Sequence, residues 1–128
     1  MMLDSFSNTL LQKSLDGLWQ RQQAILNNLA NYETPNYKKK YVEFEKYLKQ
    51  AIDESDNKTK SQKISLIDYT HSYMGTSKSE TLRADGNNVD VEQENIELAR
   101  AQLQYSTAIR QVSDNLSRLR SAISGTSR

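Results

Sequence analysis

Apolar residues recur at alternating steps of four and three along the last third of the chain, residues 87–123. This period is typical of a helix that packs one narrow stripe of side chains, here called its seam, along a partner helix. The pattern predicts one long helix from Val91 to Ile123, interrupted in its seam only by a glutamine. The predicted seam consists of Leu98, Gln102, Tyr105, Ile109, Val112, Leu116, Leu119 and Ile123.

The same alternation runs through a first block, from about Ser5 to Asn31. Asp4 or Ser5 is the expected N-cap, because a short polar side chain can accept a bond from the first turn. Gly17 lies in the middle of this helix and costs about 1 kcal/mol relative to alanine, so we expect a weak point or a close neighbour there. The predicted seam consists of Leu11, Leu15, Leu18, Gln22, Ile25, Leu29 and Tyr32.

The two seams can be aligned, because residues at one level of an antiparallel pair have numbers with a constant sum. Leu11 with Val112 gives 123, and Leu15 with Ile109 gives 124. The two glutamines, Gln22 and Gln102, also give 124. A polar pair in an apolar seam fixes the register of two helices. We therefore predict an antiparallel helical pair in which these glutamines face each other.

Each predicted helix also carries apolar residues beside its seam. A pair of helices is marginal in water and cannot cover these side chains alone, so further helices are required. Other copies of the same or a similar chain are the simplest source, and the sequence predicts self-assembly. The residues concerned are Phe6, Leu10, Trp19, Leu26, Ile96 and Leu103.

The first helix is expected to end before Pro35, because a proline disfavours helical backbone at the residue that precedes it. Residues 34–37, Thr-Pro-Asn-Tyr, predict a turn in which Asn36 takes the positive φ that a type II turn requires. At the last helix, Asp90 is the expected N-cap with Gln93 as its capping-box partner, and Gly125 is the expected stop. Residues 126–128 are expected to fray.

Between the helices the pattern is weaker. Phe44, Leu48, Ala51 and Ile52 fit one face of a short amphipathic helix. Residues 53–62 read as an exposed loop, residues 63–74 as one or two short strands, and residues 75–88 as a loop with a strong turn. The fold class is therefore mainly α, with helical segments in residues 1–34 and 89–128 and a short irregular or β-containing insertion at residues 35–88.

Composition excludes several classes of function. With 17 Lys and Arg against 16 Asp and Glu among 128 residues, the chain lacks the basic excess of most nucleic-acid-binding proteins, although lysines and aromatics alternate in residues 38–49. It has no cysteine and one histidine, His71, which is expected on the surface. No glycine-rich phosphate loop or metal-spaced cluster is present, so we predict no catalytic residue, no cofactor and no metal.

Apolar runs are far shorter than the roughly 20 residues that span a bilayer. The first 15 residues, MMLDSFSNTLLQKSL, lack the basic and apolar regions of a secretory signal peptide. We therefore expect that export, if it occurs, uses a route without a cleavable signal.

Two motifs carry a resemblance to a known family. ANYETPNYK, residues 30–38, resembles the A-N-x-x-T-P-G-Y-K motif of bacterial flagellar rod and hook proteins, with Asn36 in place of the usual glycine. GNNVD, residues 86–90, followed by the long last helix, is similar to the C-terminal signature of that family, closest to its proximal rod members. The motif residues in the first segment are Ala30, Asn31, Thr34, Pro35, Asn36 and Tyr37.

The resemblance implies a non-enzymatic, self-assembling subunit of the rod, the drive shaft that crosses the periplasm from motor to hook. It implies export through the flagellar type III apparatus, for which Phe6 and Leu10 match a short F-x-x-x-hydrophobic signal. The expected partners are other copies, other rod proteins, the export apparatus and the basal-body base (the MS-ring or its adaptor). The alternatives are another rod-family subunit, FlgC-type or distal, and an unrelated soluble coiled-coil adaptor.

Overall fold

The computed structural model describes residues 5–81 and 83–125. Within these residues the chain forms four helices and two strands, with a long helix at each end and a short sheet between them, so the predicted fold class is confirmed. Asp4, the alternative N-cap, and residues 126–128, expected to fray, lie outside the described residues. In chain order the elements are α1 (Ser5–Ala30), β1 (Lys40–Glu43), α2 (Glu45–Glu54), α3 (Lys60–Asp68), β2 (Tyr73–Thr76) and α4 (Val91–Ile123).

Helices α1 and α4 pack antiparallel, as two hydrogen bonds near opposite ends of the pair show. The Asn115 side-chain Nδ2 donates to Asn8 Oδ1 at 3.1 Å, and the Asn28 Nδ2 donates to Glu94 Oε2 at 3.0 Å. The first pair of residue numbers sums to 123 and the second to 122. The predicted antiparallel orientation is confirmed, and the register agrees with the predicted sum to within about one residue.

The ends of α4 follow from their capping residues. Asp90 Oδ1 accepts bonds from the backbone N–H groups of Glu92 and Gln93, which confirms the predicted N-cap. The Gln93 side chain donates to Glu97 instead of returning to the cap, so the predicted capping box is not completed. Gly125 has a φ of +60°, a left-handed conformation that suits a residue just past a helix end.

The turn after α1 forms as predicted. The Tyr37 N–H donates to the Thr34 carbonyl at 3.3 Å, and Asn36 has a φ of +60°. Asparagine tolerates this conformation better than other residues with a Cβ, because its short polar side chain finds local hydrogen bonds. The chain therefore reverses direction at residues 34–37 and leads into β1.

The amphipathic segment after β1 is confirmed as α2, with Leu48 and Ala51 buried. The prediction of one or two strands in residues 63–74 is wrong in its first half, because α3 occupies Lys60–Asp68 and only β2 follows. A capping box between Thr59 and Gln62 starts this helix. Tertiary packing of the fully buried Ile67 outweighs the β preference of branched residues.

The expected exposed loop at residues 53–62 is correspondingly shorter, because α2 extends into it from one side and α3 from the other. Strands β1 and β2 pair antiparallel with Lys40 opposite Thr76 and Glu43 opposite Tyr73. The sequence pattern does not predict β1.

The core lies between α1 and the middle of the chain. A Cβ added at Gly17 would lie 2.3 Å from Phe44 Cγ, so the glycine admits the aromatic ring against the helix backbone. The close neighbour expected at Gly17 is therefore Phe44. The buried core side chains are Leu18, Ala24, Val42, Phe44, Leu48, Ala51 and Ile67, with Phe6, Leu10, Ile52 and Tyr105 packed around them.

Candidate functional site

The two motifs, far apart in sequence, meet at one end of the helical pair. The backbone N–H of Asn36 donates to the Asp85 carbonyl at 2.7 Å, and the Asn88 N–H donates to the Tyr37 carbonyl at 3.3 Å. We call this contact region, residues 28–40 with residues 85–94, the motif junction. It sets where the last helix starts relative to the end of the first.

Asn87 is the centre of the motif junction and is fully buried. Its Nδ2 donates to the carbonyls of Asn31 at 2.7 Å and Thr34 at 2.9 Å, and its Oδ1 accepts from the Val89 N–H at 2.8 Å. The last carbonyls of a helix have no partner within the helix. One side chain from the second motif therefore closes both the end of α1 and the turn after it.

Asn28 joins three elements through one amide. Its Oδ1 accepts from the Lys40 N–H at 2.8 Å and from the Tyr37 hydroxyl at 2.9 Å, while its Nδ2 donates to the Lys40 carbonyl and to Glu94. The side chain is 1% exposed. All four of its hydrogen-bonding positions are used, so α1, β1 and α4 are held in one arrangement.

Glu94 brings a buried charge to this network. Its side chain is 6% exposed and lies 3.9 Å from Lys39 Nζ, in addition to the bond from Asn28. Burial raises the pKa of the Tyr37 hydroxyl, and the nearby Glu94 carboxylate raises it further. The tyrosine therefore stays protonated and can donate to Asn28.

Asn88 extends the small sheet with its side chain. Its Oδ1 accepts from the Lys39 N–H at 2.7 Å, and its Nδ2 reaches the carbonyls of Ser77 and Ser79. The amide group thus occupies the place of a backbone rung between the ends of β1 and β2. It ties the second motif to the middle of the chain.

Gly86 and Asn36 lie too close together for a larger residue. Gly86 has a φ of +77°, and a Cβ built on it would lie 2.6 Å from Asn36 Oδ1. The Lys38 Nζ donates to the Gly86 carbonyl at 2.5 Å. Of the predicted motif residues, the structure brings Asn31, Thr34, Asn36 and Tyr37 into the junction, whereas Pro35 is exposed at its tip.

Along α1, the predicted seam agrees with the packed face. Leu18 and Ile25 are buried, and Leu11, Leu15, Gln22 and Leu29 are half-buried. The prediction is wrong for Tyr32, which follows the end of α1 and is exposed. Along α4 the agreement is partial, because Leu98, Tyr105 and Val112 are half-buried whereas Gln102, Ile109, Leu116 and Leu119 are exposed. The predicted polar pair of Gln22 and Gln102 is therefore wrong as a buried register pair.

On α4, small and polar residues occupy every second position of the face that packs against α1. Glu94, Ala101 and Asn115 are buried and Ala108 is half-buried, and together with Leu98, Tyr105 and Val112 they keep the four-three alternation. A pattern of large apolar side chains does not include these small and polar residues, so the sequence did not predict them. Alanine lets two helices approach, and the buried asparagine and glutamate find partners on α1.

The exposed apolar residues of α1 and α4 lie largely on one side of the helical pair. Trp19 and Leu26 directly follow packed residues of α1, and Ile109 and Leu116 directly follow packed residues of α4. In an antiparallel pair, the residues that come one position after these packed residues on the two helices lie on the same side of the interface. Trp19 is 55% exposed and Leu116 58%. We call this surface the apolar flank; it consists of Trp19, Leu26, Ile109, Leu116 and Ile123.

The apolar flank lies on the side of the helical pair that faces away from the middle of the chain. The opposite side is lined by Arg21, Glu97 and Gln104 and is adjacent to β1. Ile96 and Leu103 are also exposed, farther round α4. Phe6 and Leu10 differ from the expectation for uncovered apolar residues, because the chain's own core partly covers them.

Neither a candidate metal cluster nor a helix fit to span a membrane is found in the part of the chain that the structure describes. No group of three or more histidine, aspartate or glutamate side chains in residues 5–81 and 83–125 is placed to hold a metal ion. His71 is exposed, as expected. None of the helices that the structure describes is long and apolar enough to cross a membrane.

Sequence reasoning missed Asn28, Asn87, Asn88 and Glu94 as structural residues. Asn28 carries no local sign of burial, because the elements that cover it, β1 and α4, are distant in sequence. The available signal was the second motif itself, in which two adjacent asparagines precede a helix cap. Two adjacent asparagine side chains before a helix cap offer more hydrogen-bond donors and acceptors than a turn alone requires.

Comparison with known proteins gives a consistent result. No family model matches the chain. It is 32% identical over 124 residues to the flagellar basal body rod protein FlgB of Bacillus subtilis, covering 94% of this chain and 96% of that protein. It is 33% identical over 118 residues to FlgB of Borrelia hermsii, covering 83% and 87%. For FlgB of Yersinia enterocolitica the identity is 27% over 118 residues. The chain belongs to the FlgB family of flagellar basal body rod proteins.

Proposed function

We propose that the chain is a structural subunit of the proximal flagellar rod, which packs by its apolar flank against neighbouring subunits of the basal body. The exposed apolar flank is the observation that carries this proposal. Five large apolar side chains on one side of two long helices favour burial in an assembly. The FlgB relatives favour this function over a FlgC-type subunit, a distal rod subunit or an unrelated adaptor.

A helical pair held at a fixed register suits a part that transmits torque. The motif junction anchors one end of the pair, and the bond between Asn8 and Asn115 anchors it near the other. Stiff helices pass a load to the next subunit only if their relative position does not slip. On this basis residues 1–34 and 89–128 constitute the rod core, and residues 35–88 an insertion beside it.

The subunit lies in the periplasmic rod and contacts other copies, other rod proteins and the basal-body base. Export through the flagellar type III apparatus is supported by the match of Phe6 and Leu10 to a short F-x-x-x-hydrophobic signal. Phe6 and Leu10 are the candidate export residues.

Charge placed in the apolar flank tests the proposal. Leu116→Glu should leave the isolated subunit folded, because the side chain is already exposed, but should prevent its incorporation into basal bodies. Ser113→Glu, on an exposed polar position of the same helix, is the matched control. Incorporation is measured by immunoblotting of basal bodies purified from cells that lack the native chain. Equal incorporation of both variants would exclude the apolar flank as the assembly surface.

A further inference from the structure

The two outer edges of the small sheet are treated differently by the rest of the chain. The edge of β1 is capped by side chains of α1. Asn28 bonds both the N–H and the carbonyl of Lys40, and Arg21 Nη2 donates to the Val42 carbonyl at 2.8 Å. These are three of the four backbone groups that a further strand would use, so that edge is closed.

The edge of β2 carries no such cap. The Ser77 N–H donates to the Lys39 carbonyl, and in an antiparallel ladder the hydrogen-bonded pairs recur at every second residue. The backbone N–H and carbonyl groups of Gly75 and Tyr73 therefore point toward β1. Those of Met74 and Thr76 point outward, away from β1. No hydrogen bond joins these four outward groups to any residue in the described parts of the chain.

Apart from its short length, this edge lacks the residues that keep exposed strands from pairing. Natural edge strands are protected by shortness, by charged residues or prolines, or by bulges. The strand Tyr73–Thr76 contains none of these residue types, and Met74 is 52% exposed. It presents a short, uncharged row of donors and acceptors.

We propose that the free edge of β2 receives an extended segment of another basal-body protein, which adds a third strand to the sheet. This rests on the proposed function, since it takes the chain to be part of a basal body. The edge also indicates the segment's chemistry. An apolar side chain opposite Gly75 would lie beside the exposed Tyr41 ring, and a carboxylate would match Lys78, which is exposed and forms no ion pair with the described residues.

A second copy of β2 fits this edge less well. Antiparallel self-pairing centred on Gly75 would place glycine opposite glycine and Lys78 opposite Ser72 of the other copy. Such a pair provides neither the apolar side chain nor the carboxylate. The occupant is therefore a different extended segment.

Hydrogen exchange of the wild-type chain tests this assignment without a variant that could misfold. In the free chain, the amides of Met74 and Thr76 should exchange at least about tenfold faster than that of Gly75, which is bonded within the ladder. In purified basal bodies both outward amides should slow by about tenfold or more. If basal bodies contain the chain but exchange at these two amides is unchanged, the added strand is excluded, whereas the proposed function still stands.

Two further outcomes separate the possibilities. Absence of the chain from basal bodies would overturn the proposed function, and this inference with it. Slowed exchange at Met74 and Thr76 in concentrated free chain would show self-pairing and overturn the assigned occupant. As a complementary test, Met74→Pro removes one outward N–H and should reduce incorporation into basal bodies, whereas Met74→Ala keeps the N–H and should not.

Discussion

The side-chain amide of Asn87 donates a hydrogen bond to the main-chain carbonyl of Asn31 at 2.7 Å, linking residues 56 positions apart. This contact closes the C-terminal end of α1 with a residue that immediately precedes α4. The end of one long helix and the start of the other are thereby held at one point. The register of the whole helical pair depends on that point.

Replacing Asn87 should therefore lower the free energy of unfolding more than replacing an exposed asparagine does. Asn87→Ala removes the side-chain bonds to the carbonyls of Asn31 and Thr34, each of which keeps one backbone donor, and leaves the buried N–H of Val89 without its partner. We expect a loss of about 3 kcal/mol in the free energy of unfolding, measured by urea denaturation. Asn27→Ala, at an exposed amide of α1, should cost about 0.5 kcal/mol or less. Equal losses for both variants would contradict the assigned role of Asn87.

The close approach of Gly86 and Asn36 predicts a coupling between them. Gly86→Ala should cost about 3 kcal/mol, because it combines a strained positive φ with a clash against Asn36 Oδ1. In the Asn36→Gly background the clash is absent, and the same substitution should cost about 1 kcal/mol less. The measurement is a double-mutant cycle of unfolding free energies. A coupling energy near zero would show that the two residues do not touch.

The sequence predicted the long elements better than the small ones. The bounds of α4 and the turn at residues 34–37 could be predicted because local rules decide them: a 3.5-residue period, a capping aspartate, a proline and an asparagine with positive φ. The packed face of α4 could be only partly predicted. Which side of an amphipathic helix is covered depends on a partner whose position the pattern does not give.

The motif junction and β1 could not be predicted from local patterns for a different reason. The hydrogen bonds that join their separate segments link residues from 9 to 66 positions apart, as Tyr37 with Asn28 and Asn28 with Glu94 show. Nothing in the neighbouring sequence marks Asn28 as buried, because its environment is supplied by β1 and α4. Likewise Ile67 was assigned to a strand, since its burial against the core is a tertiary effect.

The ion pair of Arg21 and Glu45 predicts a modest dependence of stability on pH. Burial raises the pKa of the Glu45 carboxyl, but hydrogen bonds from Arg21 at 2.6 and 2.7 Å and from the backbone outweigh this and lower it below its ordinary value of 4.5. The folded state then binds fewer protons than the unfolded state. This contribution is present above the unfolded pKa and is lost as pH falls through the lowered folded pKa.

The check is to compare wild type with Glu45→Gln by urea denaturation at several pH values below 6. The difference in unfolding free energy between the two proteins should shrink as the pH falls and disappear once Glu45 is protonated in both states. Because Glu45 is more than half exposed, the difference should be small and should decrease with added salt. A difference that is independent of pH would contradict the ion pair.

The register of the helical pair can be tested by a disulfide, since the chain has no cysteine of its own. Asn8→Cys combined with Asn115→Cys should form a cross-link under mild oxidation, because the two side chains touch. Asn8→Cys combined with Leu119→Cys, displaced by one helical turn, is the matched control and should not. Gel mobility with and without reductant reports the result. Cross-linking of the control pair alone would mean that the register is shifted by a turn.

The central claim is that the apolar flank is exposed in the free subunit and covered by neighbours in the rod. The most direct measurement is the rate at which a maleimide modifies Leu116→Cys in the free chain and in purified basal bodies, with Gln50→Cys on α2 as the accessible control. Our account predicts modification at least about tenfold slower in basal bodies at position 116, with little change at position 50. Equal rates at position 116 in the two states would contradict it.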